Sequence, residues 1–313
     1  MDPAPLVSIV TPCFNAGRFL ARTIESVLAQ DYPRIEYIVM DGGSTDETPG
    51  ILEGYGGRLQ YLSARDGGAA DAINRGFLRS AGSIFAWLNA DDTYFPGAIS
   101  AAVHGLLSAP EAAVAYGEGL WIDERGEVLG RYPTVTPYHR SMFERECGIC
   151  QPASFLRREA FAAVGMLHAD LQLAFDYDLW IRLSLQHRFV AVRETLAASR
   201  MHRANKSLGQ KRLMFQENIG VLRRYYRYVP VNWVYGYLSF LRDGRDQYFE
   251  PLRHSALVYL ASLAAGSYYN RRHLLRYWSE WFSHIGAAAW RRLRESGGKG
   301  AGGVGAAGGR PPR

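Results

Sequence analysis

The 313-residue sequence predicts an α/β protein built on a doubly wound, mostly parallel sheet that is flanked by helices. Short apolar runs alternate with segments in which apolar residues recur every three or four positions, as they do in helices. Several of the apolar runs end on polar or acidic residues. Because ligands bind at the carboxyl ends of strands in open α/β sheets, these endings also predict where a functional site lies.

The elements follow in order along the chain. Runs with the length of strands lie at 7–11, 35–40, 59–62 and 83–88. Helical spacing is found at 19–28, 71–78 and 176–185, and residues 44–47 have the pattern of a capping box that would start a further helix. Three strands would therefore present Thr11, Asp41 and Asp91 along one edge of the sheet.

Two adjacent carboxylates, Asp91 and Asp92, end the fourth apolar run. Side by side they repel each other, and a divalent cation such as Mg²⁺ or Mn²⁺ would compensate, since these ions take oxygen ligands and are shared with substrate phosphates. The alternative interpretation is an acidic turn after a strand. His202, which follows another predicted strand, is either a further metal ligand or a structural histidine.

Two classes of nucleotide-binding enzyme are not supported by the sequence. The loop at 12–17, after the first strand, lacks the Gly-x-Gly-x-x-Gly pattern of dinucleotide-binding dehydrogenases, and no Gly-x-x-x-x-Gly-Lys-Ser/Thr phosphate loop is present. The glycine-rich basic loop expected of a sugar nucleotidyltransferase is also absent. A phosphate would then be held through a metal on Asp91.

Six sequence blocks, in order, carry a resemblance to a known family. They are Ser8–Asn15, Met40–Asp46, Asp66–Gly76, Asn89–Asp92, Gln151–Phe155 and Phe175–Arg182. Over residues 5–210 the chain resembles the family 2 glycosyltransferases of the GT-A fold. These enzymes transfer a sugar, with inversion, from a nucleoside diphosphate to a hydroxyl of a glycan or a lipid-linked acceptor.

The resemblance implies a site for a nucleotide-sugar donor, and the family pattern favours a UDP-sugar. The implied donor-binding residues are Thr11, Pro12, Asn15, Asp41, Arg65, Asp66, Asn74, Asn89, Ala90 and Asp91. Among them, Asp41 would accept hydrogen bonds from the base. Asp91 matches the last aspartate of the family's Asp-x-Asp motif and would hold Mn²⁺ or Mg²⁺, with Asp92 and His202 as supporting ligands. Asn89 replaces the first aspartate of that motif.

The resemblance also implies a general base. The family pattern Glu-Asp-x-x-Leu-Trp-x-Arg-Leu places the base at Asp176, with Asp178 as the fallback, while Phe175 stands in place of the glutamate. Without the resemblance, the preferred interpretation of Asp176 is a helix cap. The residues expected on the acceptor side are Gln151, Trp180 and Arg182. Because of Phe175 and Asn89, an inactive nucleotide-sugar-binding or scaffold protein of a glycan-assembly complex is the alternative.

Charge divides the chain into two parts. Residues 201–313 carry 19 Lys and Arg against 6 Asp and Glu, whereas the preceding residues are net acidic. We expect a catalytic domain at 1–210, a helical region at 211–296 and a disordered Gly/Ala/Pro-rich tail at 297–313. An apolar stripe of Leu274, Trp278, Trp281 and Ile285 beside arginines suggests peripheral membrane binding through 271–294. The alternative is a helical appendage that packs on the catalytic domain or on the second subunit of a homodimer.

The remaining composition bears on location and partners. Three cysteines, two of them spaced Cys147-x-x-Cys150, read as loop residues without special chemistry and suggest a reducing cytoplasm. We expect a cytoplasmic protein, peripheral on the inner face of the membrane if the C-terminal region binds lipid, that assembles a surface polysaccharide or glycolipid. No nucleic-acid-binding module is recognisable.

Overall fold

The computed structural model describes residues 4–202, 205–245, 247, 250 and 252–284. The chain divides into two compact units, Met1–Tyr226 and Arg227–Arg313. This division differs from the predicted boundary after residue 210, because the helix Lys211–Tyr225 belongs to the first unit. The predicted disordered tail at 297–313 lies outside the described residues.

The first unit is built on one sheet, which has nine strands within the described residues. The strands are β1 (Val7–Cys13), β2 (Ile35–Asp41), β3 (Gln60–Ser63), β4 (Ile84–Trp87), β5 (Thr93–Tyr94), β6 (Ala112–Ile122), β7 (Val128–Arg131), β8 (Ser154–Arg157) and β9 (Arg188–Arg200). Their order is β3-β2-β1-β4-β8-β6-β9-β5, and β7 pairs with β6. The four predicted apolar runs correspond to the first four strands, with ends that differ by no more than two residues.

The strand directions explain which strand ends meet. β3, β2, β1 and β4 are mutually parallel, as predicted, so that β1, β2 and β4 end at the same edge. β8 runs antiparallel to both β4 and β6, and β6 runs parallel to β9. Two antiparallel steps restore the original direction, and β9 therefore ends at the edge where β4 ends.

Helices flank this sheet in the first unit. They are α1 (Gly17–Leu28), α2 (Thr48–Gly54), α3 (Ala69–Arg79), α4 (Ala98–Ser108), α5 (Met142–Arg145), α6 (Arg158–Ala163), α7 (Phe175–Gln186), α8 (Lys206–Gly209) and α9 (Lys211–Tyr225). A single 3₁₀ turn at Gln151–Ala153 precedes β8. The expected α/β architecture is confirmed, whereas the capping-box prediction is wrong: α2 begins at Thr48, and Glu47 at its N-cap makes no side-chain capping bond.

Large apolar side chains from both halves of the sheet form the interior. Leu20, Ile24 and Val27 on one face of α1 are fully buried, which agrees with the helical spacing in the sequence. On the other side, Trp87 of β4 stacks on Trp180 of α7 with 5.7 Å between ring centroids. Apolar side chains therefore pack on both faces of the sheet, and polar residues lie at its carboxyl edge.

The second unit is helical in its described residues. It contains α10 (Val231–Asp243), α11 (Ala256–Tyr269) and helical residues at 274–284. Trp281 donates from Nε1 to the Tyr259 carbonyl oxygen and to Ser262 Oγ, both at 3.1 Å, and Tyr277 donates to the Ser262 carbonyl oxygen at 2.8 Å. Tyr277 also lies directly against Gly266, where a Cβ atom would find no room.

These contacts correct the predicted apolar stripe. Trp281 is buried against α11 rather than aligned with Trp278 on an outer surface, and Ile285 lies outside the described residues. The apolar side chains that do face outward on this helix are Leu275, Trp278 and Phe282. Across the described residues, no helix combines the length and apolar character needed to cross a membrane.

Gly76 tests the packing of α3 on the sheet. A Cβ atom at Gly76 would lie 2.6 Å from Val10 Cγ1 and 3.2 Å from Met40 Cγ, so Gly76→Ala must push α3 away from β1 and β2. We expect the free energy of unfolding of this variant to fall by about 1–3 kcal/mol in a denaturant titration. Gly220→Ala in α9 is the control, because nothing lies within 4 Å of its Cβ position. It should keep or raise the stability by up to about 1 kcal/mol. Equal stabilities for the two variants would contradict this packing.

Candidate functional site

The loop after β1 is tied to the loop after β2 by side chains. Asn15 adopts a positive φ of 49°, its backbone N–H donates to Ser44 Oγ at 2.7 Å, and its Oδ1 accepts from the Thr45 N–H at 2.9 Å. The N–H groups of residues 16 and 17 donate to Thr48 Oγ1 and Asp46 Oδ2. Because these donors at the start of α1 already have partners, they are not free to bind a phosphate. This agrees with the absence of a glycine-rich loop in the sequence.

Asp41 ends β2 and has almost no exposed surface. Its carboxylate accepts from the hydroxyls of Ser44 and Ser63 at 2.5 Å each, and from the Ser44 N–H at 3.1 and 3.2 Å. The two serines therefore fix the orientation of this charge at the strand end. On β1, the buried Thr11 hydroxyl lies 3.0 Å from the Tyr37 hydroxyl, and the neighbouring Pro12 is also buried.

The segment after β3 approaches the same place. A Cβ atom on Gly42 would lie 3.0 Å from Asp66 Oδ2, so the absence of a side chain at Gly42 allows this close approach to the Asp41 loop. Arg65 is exposed beside Asp66. Asn74, in contrast, is engaged elsewhere: its Nδ2 donates to the Leu167 carbonyl oxygen at 2.8 Å and its Oδ1 accepts from the Leu167 N–H at 3.1 Å. The Asn74 side chain therefore holds the backbone of Leu167 in place.

Asp91 and His202 meet at the ends of β4 and β9. Asp91 Oδ2 lies 3.0 Å from His202 Nε2, and the Asp91 side chain is about one quarter exposed. The His202 ring packs beside Phe19, with 5.0 Å between ring centroids. Arg200 holds the backbone of the pair together, because its Nε donates to the Asp91 carbonyl oxygen at 2.9 Å.

Asp92 points in a different direction. It is buried, its Oδ1 accepts from the Arg200 N–H at 2.9 Å, and its Oδ2 accepts from Asn89 Nδ2 at 3.1 Å. Burial, and then the charge of Asp91, raise the pKa of Asp92 to about 8. Both oxygens are occupied by protein donors, so the expectation that Asp92 supports a metal does not agree with this geometry. It joins the end of β4 to β9 instead.

Asp176 is the second residue of α7 and is half-buried. Its Oδ1 accepts from the Tyr177 N–H at 2.7 Å. Burial raises the pKa of Asp176 to about 6, backbone hydrogen bonds oppose this rise, and the nearby charge of Glu217 adds to it. The carboxylate is therefore ionised at neutral pH, yet it is a better proton acceptor than an exposed aspartate. Phe175, at the position of the family's glutamate, packs beside Trp87 of β4.

Asp178 belongs to a buried polar network behind the site. It is completely buried and its carboxylate accepts from Arg182 Nε at 2.8 Å and from the Tyr225 hydroxyl at 2.9 Å. His168 Nδ1 lies 3.0 Å from Asp178 Oδ2. These contacts hold α7 to α9 and to the segment before α7. Asp178 therefore has a structural role, and its burial does not agree with the expectation that it is the fallback base.

The three residues expected on the acceptor side are also internal. Trp180 has no exposed surface and stacks on Trp87, and Arg182 donates to the carbonyl oxygens of Val164 and Met166. Gln151 donates to the Trp87 carbonyl oxygen at 2.8 Å and accepts from Asn89. Their side chains hold α7 and the strand end in place, so the expectation that they contact an acceptor does not agree with their burial.

Comparison with known proteins identifies the family. The family model described as glycosyl transferase family 2 matches residues 8–165. The chain belongs to glycosyltransferase family 2. An uncharacterised glycosyltransferase of Rickettsia prowazekii is 32% identical over 218 residues, which cover 66% of this chain and 68% of that protein.

Solved structures of glycosyltransferases have a similar fold. S. aureus TarS 1–349 in complex with UDP-GlcNAc matches with a TM-score of 0.56 and 15% identity, over 88% of this chain and 92% of that chain. The mannosyltransferase PcManGT from Pyrobaculum calidifontis, in complex with GDP-Man and Mn²⁺, matches with a TM-score of 0.57 and 16% identity, over 85% and 76%. The predicted GT-A fold and family are both confirmed.

The Asp91–His202 pair fits a divalent cation in this glycosyltransferase. Ligands in neighbouring positions of an octahedral ion at about 2.1 Å lie about 3 Å apart, which is the separation of these two atoms. Within the described residues, no group of three or more His, Cys, Asp or Glu side chains is assembled for a metal. The described residues thus bring two candidate ligands, Asp91 and His202, together at this edge of the sheet.

Two features of the site were missed by sequence reasoning. Glu217 on α9 hydrogen-bonds the segment that leads into α7, and Arg200 connects the ends of β4 and β9. Neither lies in a recognisable motif, because their partners are more than 40 residues away in sequence. Cys13, Cys147 and Cys150 are free, and burial raises the pKa of each thiol. Cys13 is the last residue of β1 and does not lie in a loop.

Proposed function

We propose that the protein is an inverting, metal-dependent glycosyltransferase that moves a sugar from a UDP-sugar to a hydroxyl of a glycan or lipid-linked acceptor. The observation that carries this proposal is the meeting of Asp91 and His202 at the carboxyl edge of the sheet, where Asp41 also ends its strand. Family membership supports sugar transfer from a nucleotide donor. The alternative, a nucleotide-sugar-binding protein without turnover, is an outcome of the experiment below.

Asp91 and His202 are the proposed ligands of Mn²⁺ or Mg²⁺. The similarity to the Mn²⁺ complex of PcManGT supports a divalent ion at this edge. When bound, the ion would neutralise charge that develops on the departing diphosphate. The residues of the chain orient the pair: Arg200 holds the backbone of Asp91, and Phe19 supports the His202 ring.

Asp41 is the proposed acceptor for the base of the nucleotide. Its carboxylate is held by Ser44 and Ser63, so it is ordered before a ligand arrives. A carboxylate accepts a hydrogen bond from the uracil ring N–H, whereas the corresponding ring nitrogen of cytosine offers no proton. Arg65 and Asp66 would lie on the other side of the nucleoside, and Asn15 would border it from the first loop.

Asp176 is the proposed general base. The acceptor hydroxyl attacks the anomeric carbon from the side opposite the diphosphate, so that one carbon–oxygen bond forms while the bond to the phosphate oxygen breaks. The hydroxyl proton passes to the Asp176 carboxylate, and the nucleoside diphosphate leaves with the electron pair. A single displacement of this kind inverts the anomeric centre. A carboxyl pKa of about 6 keeps the base ionised at neutral pH.

Two helices of the second unit carry exposed apolar side chains. On α11 the outward-facing residues are apolar, with Leu257, Leu260 and Tyr268 largely exposed, and Leu275 and Phe282 are exposed on the helix at 274–284. The surrounding sequence is strongly basic, with 19 Lys and Arg against 6 Asp and Glu over residues 201–313. Apolar side chains among arginines complement an anionic lipid surface, and we propose that this unit binds there.

Asp176→Asn tests the proposed base. We expect kcat for UDP release to fall by roughly 10²–10⁴, with little change in UDP affinity, because the amide keeps the shape but not the basicity. Turnover by the unaltered protein should decline below about pH 6 as Asp176 is protonated. The assay measures nucleotide release from UDP-N-acetylglucosamine, UDP-glucose, UDP-galactose and GDP-mannose, and UDP binding is measured by calorimetry.

Two matched variants serve as controls for this test. Asp170→Asn changes an exposed aspartate and should retain turnover. Asp178→Asn should lower the unfolding temperature, because it weakens a fully buried charge network. Normal turnover in Asp176→Asn would contradict the assignment of the base. UDP binding without turnover on any donor, in the unaltered protein, would favour the binding-protein alternative.

The double variant Leu275→Glu/Phe282→Glu tests the membrane proposal. The full chain should sediment with anionic phosphatidylglycerol vesicles, and the double variant should lose at least about 90% of this binding, since it places charges on the apolar surface. High salt should weaken the binding of the unaltered chain. The control is Leu107→Glu, which changes an exposed leucine of the first unit. A different result would contradict the membrane proposal: if the unaltered protein is a dimer, and the double variant is a monomer that still binds vesicles, the surface binds a second copy of the chain.

A further inference from the structure

A carboxylate from α9 closes the amino-terminal end of α7. Glu217 accepts hydrogen bonds from three successive backbone N–H groups: that of Gln172 at 2.9 Å, that of Leu173 at 2.8 Å and that of Ala174 at 2.9 Å. Ala174 is the residue immediately before the helix, and it has no side chain that could cap it. The capping group of α7 therefore comes from a different helix, 43 residues further along the chain.

Three bonds to one carboxylate restrain this turn strongly. The three N–H groups lie just before the helix, with Ala174 at the N-cap, and have no partner within the helix. They also lie close to the positive end of the helix dipole, where an anion is favoured. Hydrogen bonds to an ionised acceptor are about twice as strong as those between neutral groups. With both oxygens of Glu217 in use, the backbone of residues 172–174 has one defined conformation relative to α9.

The position of Asp176 depends on this turn, because Asp176 follows Ala174 by two residues in the first turn of α7. The same contact brings the charge of Glu217 close to Asp176, where it adds to the rise in the pKa of Asp176 that burial causes. The other titratable groups that face Asp176 are the thiols of Cys147 and Cys150, whose pKa values are raised by burial, so both are neutral.

We propose that Glu217 is a positioning residue for the reaction, and that it holds the turn at 172–174 so that Asp176 meets the acceptor hydroxyl in the correct place. Glu217 takes no proton and contacts no substrate in this role. The inference rests on the proposed function, since it takes Asp176 as the base.

Glu217→Gln tests the inference, because glutamine keeps the length of the side chain but has one acceptor oxygen and no charge. We expect amide hydrogen exchange of the peptide covering 172–174 to speed up by about tenfold or more. We also expect kcat for UDP release, on the best donor of the panel above, to fall at least about fivefold with little change in KM. The acid limb of the pH–rate profile should move to lower pH, since the charge that raises the Asp176 pKa has been removed.

Two variants separate positioning from a general loss of stability. Glu159→Gln makes the same change of charge at an exposed position of α6 and should leave exchange at 172–174 and the pH profile unaltered. Glu217→Asp keeps the charge but is too short to reach all three N–H groups. This variant should speed up amide exchange at 172–174, while the acid limb of its pH–rate profile stays near that of the unaltered protein. It replaces Glu217→Gln in the test if that variant does not fold.

The outcomes distinguish this inference from the proposed function. If Asp176→Asn abolishes turnover while Glu217→Gln shows normal exchange and an unchanged acid limb, Glu217 does not position the base and the inference is wrong. A loss of kcat in Glu217→Gln without any shift of the acid limb would also overturn it, because a merely structural residue gives that result. If Asp176→Asn has normal turnover, the proposed base is wrong, and the inference falls with it.

Discussion

Two consecutive antiparallel pairings in the middle of the sheet decide where His202 lies. β8 opposes β4, and β6 opposes β8, so β6 and its parallel neighbour β9 run in the same direction as β1, β2 and β4. A strand that is remote in sequence therefore ends beside Asp91. If β9 ran in the other direction, His202 would lie at the opposite edge, and Asp91 would have no imidazole beside it. The Asp91–His202 pair depends on both antiparallel pairings, because together they return β6 and β9 to the direction of β4.

Buried hydrogen bonds then keep the polar edge in order. Asp92 joins β4 to β9, and Gln151 joins the strand end to the turn before β8. Asp178 ties α7 to α9 through Tyr225. Each of these carboxyl or amide groups is paired inside the protein, which is a condition for burying it without a large penalty. Asp91 and Asp176, in contrast, keep part of their surface exposed.

The apolar runs in the sequence predicted the first four strands well, because a strand that is buried in the sheet consists largely of apolar residues. Thr11, Asp41 and Asp91 lie in or just after the carboxyl ends of β1, β2 and β4, at one edge as expected, because parallel strands share a direction. The capping box at 44–47 failed because Ser44 binds the first loop, while α2 begins only at Thr48, whose N–H donates to Asp46 Oδ1. Trp180, Arg182 and Asp92 sit in functional motifs, yet a motif does not reveal which way a side chain points. Glu217 could not be found at all, since its partners are fixed only by the packing of α9.

A crystal structure with UDP and Mn²⁺ would test the account most directly, with anomalous scattering measured at the manganese absorption edge. The account predicts one anomalous peak at about 2.0–2.3 Å from both Asp91 Oδ2 and His202 Nε2, in contact with the diphosphate, and a uracil ring within hydrogen-bonding distance of Asp41. A manganese peak that contacts neither side chain, or a uracil ring remote from Asp41, would contradict the assignment of the donor site to this edge of the sheet.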